Sequence, residues 1–89
     1  MPNKEIARGV SLEVARLLRK ERIRQEISMR RLAEKSGLSQ PMISYVERGM
    51  CNPTLDTLLR IAGALNVDLS KLLKRAIHGP KPHELETGT

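Results

Sequence analysis

Apolar residues fall at helical spacing in stretch after stretch of this chain, with polar breaks between them. From Ser11 onward, Val14, Ala15, Leu17, Leu18 and an inward-placed Arg22 predict a first helix over about 11–26, with Ser11 as its N-cap and Glu13 facing the positive helix end. Ser28 then caps a short helix over 29–36, with Leu32 and Ala33 inward and Gly37 as the left-handed residue just past its end. After a turn of Gly37, Leu38 and Ser39, a third helix runs over 40–48. Ile43 and Val46 face inward and Gly49 ends it. Asn52-Pro53 breaks the pattern. Thr54 caps a fourth helix with an apolar stripe of Leu55, Leu58, Leu59, Ala62 and Leu65, stopped at Asn66. Asp68 caps a fifth, with Leu69, Leu72, Leu73 and Ile77 apolar and Lys74 and Arg75 at its negative end.

No segment carries the alternating pattern of a strand, so the fold class is all-α: a compact five-helix domain over residues 11–78. Pro2 and Gly9 mark residues 1–10 as an N-terminal arm. "GPKPHELETGT", residues 79–89, has almost nothing to bury and reads as a disordered tail.

Composition narrows the class. At 89 residues with 1% aromatics, the core must come from Leu, Ile, Val, Met and Ala, which suits a small helical bundle. A formal charge of +6 on so small a domain favours a polyanionic partner, nucleic acid before an anionic membrane. The single cysteine, Cys51, makes no internal disulfide and has no partner at metal-ligand spacing, which fits a reducing compartment. Apolar runs fall far short of the roughly 18 residues of a membrane span, and the N-terminus lacks a signal-peptide h-region, so a cytoplasmic location is expected. His78 and His83 fall near or in the tail, away from any carboxylate cluster. No phosphate-binding glycine loop or catalytic carboxylate pair stands out, so the chain reads as no enzyme, with no cofactor and no metal.

The two short helices carry the function. Separated by three residues that include a glycine, they have helix-turn-helix spacing. The steep crossing needs a small residue, Ala33. The turn needs positive φ, supplied by Gly37. Leu38 plugs the turn, and Leu32, Ile43 and Val46 anchor the pair.

"SMRRLAEKSGLSQPMISYVERG", followed by "NPTLDTLLRIAGALNVDLSKLL", resembles the lambda-repressor-like helix-turn-helix domain, and within it the XRE family of prokaryotic regulators. The resemblance covers about residues 11–75. It implies a transcriptional regulator, a repressor in the first reading, that binds a near-palindromic operator on double-stranded DNA as a homodimer. It also implies that the third helix lies in the major groove with its N-terminal side chains on base edges. Gln40 is then the principal base reader, through a bidentate pair to adenine. Pro41, Ser44 and Tyr45 join it, with Pro41 and Met42 offering apolar contact to a thymine methyl. Tyr45 either reaches the operator or lies flat on Met29 or Met42.

Phosphates fall to Ser28, Arg30, Met42 (placed in both groups), Arg48, Asn52 and the backbone around Met50, with Arg31 as added charge. The family implies an ion pair between Arg22 and Glu47. On the fifth helix, Leu69, Leu72, Leu73 and Ile77 give more apolar face than one helix contact needs, so they form either the dimer surface or part of the monomer core. Two departures stand out: Met29 where the family usually has Gln, and Glu21 where it often has an apolar residue, which predicts a shifted or exposed first helix there. Two rival functions remain open: an antitoxin, though the tail holds Leu85 alone among apolar residues, and a helical protein-interaction module with no DNA role. No small-molecule ligand or membrane partner is indicated.

Overall fold

The computed structural model describes residues 3–79. The chain forms five helices, α1 (Asn3–Arg24), α2 (Met29–Ser36), α3 (Gln40–Glu47), α4 (Leu55–Ala64) and α5 (Leu69–His78), with no strand among the described residues. Among the described residues, no helix is long and apolar enough to cross a membrane.

The short helices obey local rules. Ser28 Oγ accepts from the Arg31 N–H at 3.0 Å, Ser39 Oγ from Met42 at 3.2 Å and Thr54 Oγ1 from Thr57 at 3.1 Å. Asp68 Oδ1 accepts from the Ser70 N–H at 2.9 Å to open α5. Gly37, at φ 75°, ends α2, and its N–H and that of Leu38 both close on the Ala33 carbonyl. Ser36 is buried in this turn, donating to the Ala33 carbonyl and accepting from the Leu38 N–H. The turn between the two helices thus has its Gly37 and Leu38 N–H groups and its buried Ser36 hydroxyl hydrogen-bonded.

The core lies between α1 packed on α5 and α3, and α2 packed on α3 and α4. Val14, Leu18, Leu32, Ile43, Val46 and Leu65 are its largest fully buried side chains.

Four expectations are corrected. Residues 3–10 are not an arm: α1 starts at Asn3 and runs through Ser11, which is an interior residue and not a cap. Gly9 costs a helix only about 1 kcal/mol, and the extended helix recovers this by packing Val10 against the core. In α4 the buried face is Leu58, Ile61, Ala62 and Leu65, whereas Leu55 and Leu59 are 61% and 52% exposed. In α5 Leu69 belongs to the core, at 7% exposure, and offers no outward surface. Leu72 and Leu73 are half-buried against the core, and Ile77 is exposed. The first helix is not shifted at Glu21, whose carboxylate is taken up by Arg24 and Gln25. Residues 1–2 and 80–89, including His83 and Leu85, lie outside the described residues.

Candidate nucleic-acid interface

α3 divides cleanly. Ile43 and Val46 are buried under it, while Gln40, Pro41, Met42, Tyr45 and Arg48 are exposed and Ser44 is half-buried. Pro41 sits in the first turn, where its missing N–H costs nothing. The N-cap contact is made by Ser39, so the Gln40 carboxamide has no hydrogen bond among the described residues and both its donor and acceptor are free. Tyr45 is 46% exposed, and the Arg48 guanidinium lies over its ring at 6.0 Å from the centroid. The ring is thus partnered by Arg48 on its own helix.

Around α3 lie the groups suited to phosphate. With Ser28 occupied by Arg31, the first amides of α2, at Met29 and Arg30, have no intrahelical acceptor and sit at a positive helix end. Arg30 is exposed and only 3.9 Å from Glu34, a loose pair. Met29 lines a cleft of about 400 Å³ with Arg19, Arg22, Ser44, Glu47 and Arg48. The exposed Arg19 and Arg48 heads therefore flank Met29, Arg19 at 3.8 Å from Glu47 and Arg48 over the Tyr45 ring.

The loop after α3 is more constrained than its sequence suggests. The Gly49 N–H donates to the Val46 carbonyl at 3.0 Å and the Met50 N–H to Tyr45 at 2.9 Å. Met50 therefore has no amide to offer a ligand; the Cys51 and Asn52 amides make no backbone hydrogen bond among the described residues and are the loop's open donors.

Arg22 and Glu47 lie together between α1 and α3. Arg22 Nε is 2.6 Å from Glu47 Oε2 and Nη2 is 3.0 Å from Oε1, a two-pronged contact. Nη1 donates to the Ile27 carbonyl at 2.7 Å. The side chains are 12% and 6% exposed, so both charges are largely out of water and satisfied by each other. Arg19 stands 3.8 Å from the same carboxylate on its outer side.

Arg8, to which sequence reasoning assigned no role, reaches the same region. Its Nη1 donates to Asn52 Oδ1 at 2.6 Å and its Nη2 to the Gly49 carbonyl at 3.0 Å. A signal existed once α1 is extended across Gly9: Arg8, Leu12, Ala15, Arg19 and Arg22 follow one strip of the helix at spacings of three and four. Gln25, likewise without a role legible in the sequence, joins the end of α1 to α4. Its Nε2 donates to the Leu65 carbonyl at 2.7 Å and so caps the end of α4.

Comparison with known proteins shows the family. The helix-turn-helix family model HTH_3 matches residues 18–72, from mid-α1 into α5. A Mycobacterium tuberculosis HTH-type transcriptional regulator is 48% identical over 59 residues, covering 66% of this chain and 42% of the relative. The chain thus spans less than half of that protein. A Haemophilus influenzae HTH-type transcriptional regulator is 40% identical over 70 residues, covering 76% of this chain and 71% of its own length. The immunity repressor of Bacillus phage phi105 is 39% identical over 56 residues, covering 63% of this chain and 37% of its own. The chain belongs to the XRE-type helix-turn-helix family, whose members are DNA-binding transcription regulators of lambda-repressor-like, all-α fold.

Proposed function

We propose that this chain is a sequence-specific regulator, acting as a repressor, that reads an operator through the major groove with α3. The observation that carries the reading is the outer face of α3. Gln40 stands unpartnered at the helix N-terminus, Pro41 fixes its direction, and Tyr45 and Arg48 continue the face one and two turns along, while Ile43 and Val46 anchor the opposite side. Gln40 reads a base edge, with Pro41, Ser44 and Tyr45 around it. The open amides of α2, the Arg30 and Arg48 heads and the Asn52 loop fix the register on phosphates, whereas Met42, with a thioether side chain and its N–H held by Ser39 Oγ, has no donor for one. The immunity repressor among the relatives supports the sign of regulation.

The same reading makes the chain a homodimer on a near-palindromic site, with α5 at the interface. Ile77, 59% exposed, lies beside Ile6, also 59% exposed, along a groove of about 480 Å³ between α1 and α5 that also includes Leu73. A monomer at micromolar concentration in sedimentation, both free and on DNA, would remove this part.

Selection from a pool of random duplexes tests the reading as a whole. Enrichment of a sequence with two related half-sites is the expected outcome. Binding that is indifferent to sequence and collapses with salt would leave only the counterion-release term and contradict it.

A further inference from the structure

The N-terminal half of α1 touches the loop after α3 through two side chains one turn apart. Leu12 lies against Gly49 so closely that a Cβ there would sit 2.5 Å from Leu12 Cδ2. Arg8 spans the loop, bonding the Gly49 carbonyl at one end and Asn52 Oδ1 at the other. Among the described residues, these are the side-chain hydrogen bonds that residues 49–53 receive. The hold of α3 on the loop ends at the Met50 amide, and the next fixed point is the Thr54 cap. Between them stand Cys51 and Asn52, whose amides are open.

A guanidinium has donors only, so it selects the oxygen of the Asn52 carboxamide and leaves the Nδ2 donor on the far side. We propose that Arg8 is a positioning residue for DNA binding: it holds the 49–52 loop and turns the Asn52 amide so that the loop presents donors, and no acceptor, to a phosphate. This rests on the DNA-binding reading above. Arg8 acts through Asn52 and does not itself bind the DNA.

The test uses the duplex enriched with the wild-type chain and a scrambled duplex of equal length, titrated at several salt concentrations. Arg8→Ala and Asn52→Ala should each weaken binding by about tenfold on both duplexes, the scale of one lost charge-assisted hydrogen bond. The double variant should be no more than about twofold weaker than Asn52→Ala alone, since non-additivity marks groups that act together. Arg8→Lys, which keeps the charge and loses the fork, should behave like Arg8→Ala. The salt slope should stay at the wild-type value, and the thermal midpoint should not move enough to unfold the protein at the assay temperature.

Wild-type affinity in Arg8→Ala or full recovery in Arg8→Lys would overturn the proposal. So would multiplicative effects in the double variant. A salt slope shallower by about 0.9 in Arg8→Ala would show a direct phosphate contact and overturn it as well. A wild-type chain that binds neither duplex would instead remove the underlying DNA-binding reading, an outcome separate from an indifferent Arg8.

Discussion

Arg8 and Arg22 lie on one strip of α1, about four turns apart, and both hold the end of α3, yet they do so by different physics. Arg22 meets a carboxylate out of water and bonds the turn between α1 and α2 as well. Arg8 is exposed and meets two neutral oxygens. Loss of a partner from the inner pair strands a charge in a poor solvent, whereas water replaces what the outer contact loses. One helix thus carries a structural tie at its C-terminal end and a positioning contact at its N-terminal end.

The largest effect expected from breaking this contrast is at Glu47. Glu47→Ala should lower stability by about 3 kcal/mol, near the lower end for breaking a buried pair, as read from the urea midpoint. Arg22→Leu combined with Glu47→Leu should be milder than either single change, because no charge is left stranded. A loss below about 1 kcal/mol for Glu47→Ala would place this pair with ordinary surface pairs and erase the contrast. Next comes Gly49, at φ 69° and pressed by Leu12. Gly49→Ala should cost about 1–2 kcal/mol from the left-handed backbone, plus the displacement of Leu12. Adding Leu12→Ala should remove the displacement part, and a penalty unchanged by it would show that Leu12 yields freely.

Smaller and opposite in sign is Gly9→Ala. Gly9 is helical and a Cβ there meets nothing within 4 Å. Stability should rise by about 0.5–1 kcal/mol, with DNA affinity unchanged; a loss of stability would mean that residues 3–10 are not helical in solution. The smallest effect is a pH dependence at Glu21, the solvent-side neighbour of Arg22. Its hydrogen bond from Arg24, then that from Gln25, lowers its pKa from 4.5 to about 2. A depressed folded pKa means that its contribution is present above about pH 4.5 and is lost as pH falls toward 2. Arg16 lowers Glu13 and the Ser70 hydroxyl lowers Asp68 in the same direction. Glu21→Gln should therefore flatten the fall in urea midpoint between pH 5 and pH 2.5, and an unchanged profile would discount the Arg24 contact as fully screened.

The boundaries of α2 and α3 were legible in the sequence because they depend on neighbours in the chain: Ser28, Ser39, Gly37 and Gly49 satisfy or relax backbone groups within four residues of themselves. The start of α1 was not, because Pro2 and Gly9 read as breakers while the packing of Val10, Leu12 and Arg8 on distant segments decides the matter. In the α4 stripe, Leu58, Ala62 and Leu65 are buried as expected, and Leu55 and Leu59 are exposed for a related reason. Leu55, Leu58, Leu59 and Ile61 are apolar on more than one side, so periodicity alone could not say that Ile61 turns in and Leu55 turns out. At the candidate site, the outward register of α3 followed from Ile43 and Val46. Within the backbone around Met50, the Met50 amide is taken by the Tyr45 carbonyl through the positive-φ turn at Gly49, so the open donors of that stretch are the Cys51 and Asn52 amides.

The central claim is that α3 reads bases while its surroundings hold phosphates. Parallel selections from one random duplex pool with wild type, Gln40→Ala and Arg48→Ala test it most directly. Gln40→Ala should lose preference at one position in each half-site and weaken binding to the wild-type sequence by about 1–3 kcal/mol. Arg48→Ala should keep the wild-type preference and weaken all sequences alike. Identical enrichment profiles from the two variants would contradict the assignment of α3 as the reading helix.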